Sequence, residues 1–175
     1  MQPAGGLHLP FALLPSIALL CLLPHPLPIA LVRLGPQGPR PSPDKFKMGE
    51  YQDLLTQSLL ATNHVHHCAI INLKNVSVVT ASKGFKLEPV ETQAFVNAFK
   101  QPGNIREGGF SFKNVNYLCV RADMNSVYGK YNKEGLLLVK TESYIICATY
   151  TEGMYPSVCV EAVEKLGEYF KTKGK

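Results

Sequence analysis

The stretch that most constrains this chain runs from Tyr144 to Lys175. Tyr144-Ile145-Ile146-Cys147-Ala148-Thr149-Tyr150 is β-branched and aromatic, the composition of a buried strand. Thr151-Glu152-Gly153 carries turn chemistry, because Gly153 takes positive φ without a Cβ clash. Pro156 or Ser157 then opens a helix in which Val158, Ala162, Leu166 and Tyr169 recur at helical spacing, while Cys159, Val163 and Phe170 widen the stripe. Burying about six such side chains supplies about 1.5–3 kcal/mol each, as an upper bound. A strand, a turn and a closing helix are therefore expected to anchor the fold.

Upstream, Tyr51, Leu54, Leu55, Ser58 and Leu59 form one helix face, ending near Ala61-Thr62-Asn63. Cys68–Leu73 and Val76–Ala81 are strand-like and joined as a hairpin through Lys74-Asn75. A second helix is predicted from Glu88-Pro89, burying Ala94, Phe95, Ala98 and Phe99 and stopped by Pro102-Gly103. Short strands follow at Phe110–Lys113, Tyr117–Ala122, Ser126–Tyr131 and Leu136–Lys140, separated by hairpin residues. Helices segregated from a run of antiparallel strands make an α+β domain.

Residues 1–47 read differently. Phe11 to Leu23 is apolar, but no basic residue precedes it, and Pro15, Pro24, Pro26 and Pro28 interrupt any bilayer-long helix. Gly35 to Pro43 is linker-like. Two units are expected: 1–47, a disordered extension or alternative start, and 48–175, the folded domain, at work in the cytoplasm. The extension carries Arg33, Arg40, Lys45 and Lys47 against Asp44, whereas residues 48–175 carry fourteen basic and twelve acidic side chains. So mild a balance does not call for nucleic acid. The five cysteines are irregularly spaced, and four lie in apolar or strand-like runs. Free buried thiols in a reducing compartment are expected, with a Cys119–Cys147 bridge as the alternative.

Residues 48–175 carry a resemblance. Val120-Arg121-Ala122-Asp123, the run Thr149-Tyr150-Thr151-Glu152-Gly153-Met154-Tyr155-Pro156-Ser157, Cys159-Val160-Glu161-Ala162 and the Lys173-Gly174-Lys175 ending resemble the profilin family, and within it a divergent, testis-enriched vertebrate type. The resemblance implies a central antiparallel sheet with the N- and C-terminal helices together on one face. It also implies three ligands: actin monomers, proline-rich peptides and acidic phosphoinositides. The family's proline groove is a row of aromatic faces on which a polyproline II helix stacks. The matching positions here are Tyr51, Leu54, Val79, Tyr169 and Lys175, so only Tyr51 and Tyr169 keep a ring. Strong proline-peptide binding is expected to be lost.

On the actin side, Glu161 stands where a lysine is usual and Tyr155 where a histidine is usual. Glu161, Glu164 and Glu168 are expected to make that helix face acidic, with Lys165 offsetting Glu161 at i,i+4. Actin binding should be weak or absent. Acidic phospholipid is the partner left, with Lys83, Lys86, Arg121, Lys130, Lys133, Lys140, Lys171, Lys173 and Lys175 as candidate contacts. By resemblance, the setting is cytoskeletal organisation in developing sperm, the chain acting as a monomer. A conventional actin-monomer binder is the alternative.

Enzyme readings find little support. His64, His66, His67 and Cys68 concentrate metal-ligand types, but their spacing does not suit tetrahedral zinc. Cys68 with His64 lacks a third orienting group. Gly103, Gly108 and Gly109 do not form a phosphate loop. No metal or cofactor is expected.

Overall fold

The strand Tyr144–Tyr150 is buried at all seven residues because both of its faces are covered. In the computed structural model, which describes residues 48–175, it is β7 of a seven-stranded antiparallel sheet ordered β2-β1-β7-β6-β5-β4-β3. The other strands are β1 His67–Asn72, β2 Ser77–Ala81, β3 Phe110–Phe112, β4 Val115–Ala122, β5 Ser126–Tyr131 and β6 Glu134–Lys140. The helices are α1 Met48–Ser58, α2 Pro89–Lys100, α3 Pro102–Gly108 and α4 Pro156–Thr172. The expected extension over residues 1–47 lies outside the described residues.

Alternation along β7 splits the interior into two cores. Tyr144, Ile146, Ala148 and Tyr150 pack with Tyr51 and Leu55 of α1, with Leu59 just after it, and with Cys159, Val163, Leu166 and Phe170 of α4. Ile145 and Cys147 face the opposite way, toward Phe95, Phe99, Phe110, Phe112 and Leu138. The terminal helices therefore share one face of the sheet, and α2 covers the other.

Three expectations need correction. The buried row of α4 is Cys159, Val163, Leu166, Gly167 and Phe170; Val158 and Ala162 are half-buried and Tyr169 is exposed, turned to the rim beside α1. Gly167 belongs to the row because a Cβ there would sit 2.7 Å from Val139 Cγ1. On α2, Thr92 is buried and Ala94 exposed, so the inner row runs Thr92, Phe95, Phe99 with Ala98 beside it. Pro102-Gly103 does not merely stop α2. Proline is tolerated in a first helical turn, and Pro102 opens α3, which Arg106 ties to β4 by donating from Nε to the Ala122 carbonyl at 2.7 Å. The start of α2 is as expected: Pro89 lies in its first turn, and Glu91 Oε2 accepts the Glu88 backbone N–H at 2.8 Å.

The β1–β2 turn holds a local conflict. Val76, expected in the strand, sits in the turn with φ of 52°. Left-handed backbone costs an L-residue about 1–2 kcal/mol and is a marked outlier for a β-branched one. Val76→Asn should raise stability by about 1 kcal/mol, seen as a higher urea midpoint at unchanged slope. A lower midpoint would mean that the half-buried valine side chain contributes more by packing than its backbone loses.

Candidate functional site

The five positions of the implied proline groove do not form one row of rings. Tyr51 is only 4% exposed. Its hydroxyl shares a 2.8 Å hydrogen bond with that of Tyr144, and its ring lies 5.6 Å from Tyr144 and 6.1 Å from Phe170. The Lys175 ammonium sits above that ring, 5.5 Å from its centroid. Lys175 is itself 6% exposed, with its backbone N–H donated to Phe170 O at 2.9 Å. This corrects its place among the lipid candidates, since a buried residue cannot lead contact with a membrane surface. Val79 packs against the α1/α4 core. Leu54 and Tyr169 instead line a groove of about 560 Å³ between α1 and α4, with Val158, Ala162 and Leu166 along its floor. Tyr51 is thus a packing residue, and Tyr169 keeps an exposed ring with Lys173 Nζ 5.6 Å from its centre.

The acidic face expected on α4 is compensated residue by residue. Glu161 pairs with Lys165 at 2.6 Å, which holds its carboxyl below the usual range through a hydrogen bond and charge attraction. Glu168 pairs with Lys171 at 2.8 Å. Glu164 is not part of an exposed row: it accepts hydrogen bonds from Ser126 Oγ at 2.8 Å and from the Tyr128 hydroxyl. Burial, and then the carboxylate beside it, pushes the Tyr128 phenol up to about 12. Tyr155 is exposed at the N-cap of α4, its backbone N–H donated to His64 Nδ1 at 3.2 Å and its ring edge-on to His64 at 4.9 Å.

The remaining cations fall in separate places. Arg121 pairs with Asp123 at 2.8 Å and lies over Tyr128, on the same face of the sheet as Lys130, which opposes Leu118 in register. A register shift between Cys119 and Arg121 accompanies exposure of 66% at Val120, beside Leu118 at 71%. Strand composition concealed this apolar patch, because the same residues suit a buried strand. Lys133 pairs with Glu152. Lys140 is half-buried at the end of β6 and its backbone N–H is donated to Asn125 O. Lys83 and Lys86 are exposed in the loop after β2, flanking the buried Phe85. Lys113, expected at the end of a strand and not among the candidate contacts, has its ammonium 4.8 Å from the Phe85 ring centre. Only adjacency in space joins it to the Lys83–Lys86 loop.

The thiols are poor nucleophiles. Burial pushes Cys68 up to about 12, against a smaller opposing hydrogen bond from Ser82, and pushes Cys159 up to about 12. Cys68, Cys119, Cys147 and Cys159 are free, and β6 and β5 separate Cys147 from Cys119, so the bridge considered from sequence does not form. Among the described residues no group of three His, Cys, Asp or Glu side chains could hold a metal ion, and no helix is long and apolar enough to cross a membrane.

Comparison with known proteins gives the same picture at family level. The profilin family model matches residues 49–175. Profilin-4 of Bos taurus is 48% identical over 128 residues, 73% of this chain and 99% of that protein. Profilin-4 of Mus musculus is 47% identical over the same span. Among solved structures, Schizosaccharomyces pombe profilin superposes with a TM-score of 0.67 at 32% identity, covering 71% of this chain and 99% of that one. Acanthamoeba castellanii profilin IA gives 0.66 at 33% identity, with the same coverage.

Proposed function

This chain belongs to the profilin family, and on that premise we propose that it is a non-enzymatic binding module of the cytoskeleton whose main partner is acidic phospholipid at the cytoplasmic side of membranes. The activity resides in residues 48–175, and residues 1–47 are dispensable for it. Likeness to Profilin-4 supports a role in cytoskeletal organisation in developing sperm, with the chain acting as a monomer.

One observation carries the reading. Of the five proline-groove positions only Tyr169 presents an exposed ring, while Lys83, Lys86 and Lys113 are exposed and make no ion pair among the described residues. A lysine near an anionic membrane contributes about 1 kcal/mol, so three acting together give about 3 kcal/mol of preference over neutral lipid. Lys130 and Lys173 add to the same field from other faces. Arg121, Lys133 and Lys171 each have a carboxylate partner and contribute less.

Sedimentation with phosphatidylcholine vesicles containing phosphatidylinositol phosphates or phosphatidic acid tests this. The protein should pellet with anionic vesicles at about 0.1 M salt and be released as ionic strength rises toward 1 M, where charges are screened within about 3 Å. Deleting residues 1–47 should leave the result unchanged. The second reading, an actin-monomer binder, draws support from the exposed Leu118 and Val120 on β4. Slowed polymerisation of pyrene-labelled actin, with no pelleting on vesicles, would favour it instead.

A further inference from the structure

The histidine run that suits no metal site has a different neighbourhood. The His67 ring stacks on Phe85, with centroids 5.1 Å apart and planes within 8°. His66 lies 4.0 Å from His67, ring centre to ring centre, and is exposed. Lys113 approaches Phe85 from the turn after β3, and its ammonium is also 5.3 Å from the Phe112 ring centre. Lys83 and Lys86 bracket Phe85 in the chain and are exposed. The His67 ring and the Lys113 ammonium thus meet at one buried phenyl ring, with exposed His66 beside His67 and exposed Lys83 and Lys86 on either side of Phe85 in the chain.

We propose that this platform is the phosphate-binding site of the protein: Lys113, Lys83 and Lys86 hold the phosphate of an anionic lipid headgroup, and the His67 imidazole completes the site. The proposal deepens the lipid reading and rests on it.

The chemistry follows from the packing. An ammonium held against aromatic faces keeps attraction to the rings while its outer side is open to an anion. Burial of the His67 ring, then the nearby His66 and Lys113, place its pKa below the usual imidazole value. His67 Nδ1 is 3.4 Å from Ser82 Oγ, and its backbone N–H is donated to Thr149 Oγ1 at 3.2 Å. The carboxylates that follow the Lys83–Lys86 loop are Glu88 and Glu91 at the start of α2, where Glu91 accepts the Glu88 N–H. A bound phosphate supplies the negative charge this cluster lacks, so it raises the His67 pKa and binding takes up protons.

The sign of the linkage is fixed. With the folded pKa depressed, the unfolded chain binds the proton first, so the phosphate-free protein loses stability as pH falls through about 6.5. A phosphate at the site opposes that loss.

The experiment uses the full chain and phosphatidylcholine vesicles containing phosphatidylglycerol, a phosphodiester whose charge is constant from pH 7.5 to 5.5. Affinity should rise about 5-fold or more over that fall in pH. K113Q should weaken binding at pH 5.5 about 5-fold, and K83Q/K86Q/K113Q about 100-fold. H67Q should flatten the pH dependence, with a urea midpoint to establish that the variant is folded. A K130Q/K173Q control should bind within about 3-fold of the parent. In a parallel arm, inorganic phosphate should shift the His66 and His67 imidazole proton resonances of the parent but not of the triple lysine variant.

Pelleting that ignores both pH and the triple lysine variant overturns the site while leaving the lipid reading intact. Absence of pelleting at any pH overturns both. Imidazole shifts with phosphate but no vesicle binding would overturn the membrane as the source of the phosphate.

Discussion

Gly109→Ala should cost about 4 kcal/mol of stability, from backbone strain of about 1–3 kcal/mol and overpacking of about the same size. Gly109 joins α3 to β3 at φ 70° and ψ −160°, a region essentially reserved for glycine. An added Cβ would also lie 2.3 Å from the Tyr117 carbonyl oxygen. That oxygen belongs to β4 backbone paired to β3, where Phe110 opposes Tyr117 in register and the two rings stack 5.8 Å apart. Relief would require β3 to leave β4, drawing Phe110 and Phe112 out of the second core. A loss of this size takes a large share of the roughly 5–15 kcal/mol that holds a domain folded. Gly84→Ala is the control. It too has positive φ, at 82°, but its Cβ would meet nothing within 4 Å, so it should cost only about 1 kcal/mol. Urea unfolding of both variants separates the clash from the dihedral, and equal losses would show that the Tyr117 contact carries no weight.

Much of this architecture was legible because local pattern and tertiary role agree. The apolar run of β7 and the helical spacing of α4 announce a central strand and a terminal helix, and the order of the later strands follows from their turn residues. What misled was position within a face. A stripe of Val158, Ala162 and Tyr169 is as periodic as the row Cys159, Val163, Leu166 and Phe170, and only the docking angle of α4 decides which one meets the sheet. Pro102 stops one helix and opens another, and proline chemistry permits both.

The site was less legible than the fold, for a physical reason: charge counts say nothing about partners. Glu164 is exposed on a helical wheel, yet Ser126 and Tyr128 reach it from β5. Lys175 ends the sequence, where solvent exposure is the default, yet it lies over Tyr51. Lys113 lies between two short strands and gains meaning only when β3 brings it to Phe85. The histidines after α1 were visible as a cluster, but adjacency in sequence pointed toward metal chemistry and away from the aromatic platform they share.

The largest expected gain in ligand affinity comes from restoring the ring row. The natural chain should bind a decaproline peptide with Kd weaker than about 1 mM, because polyproline recognition needs flat aromatic anchors. Here the Tyr51 ring lies beneath Lys175, and Leu54 and Val79 offer no π face. Y51W/L54Y/V79W/Y169H/K175Y should bring Kd to tens of micromolar, a gain of about 100-fold, which two well-formed anchors of about 2 kcal/mol each would more than supply. K175Y alone should gain little, since the phenol of Tyr51 stays bonded to Tyr144 in the core. The measurement is peptide titration by calorimetry, with a urea midpoint to establish that each variant is folded. Micromolar binding by the natural chain would show that Tyr51 and Tyr169 are sufficient anchors and that covering one ring with lysine does not close the groove. A folded five-residue variant that still ignores the peptide would place the loss in the spacing of α1 and α4, with backbone position and not ring content as the altered determinant.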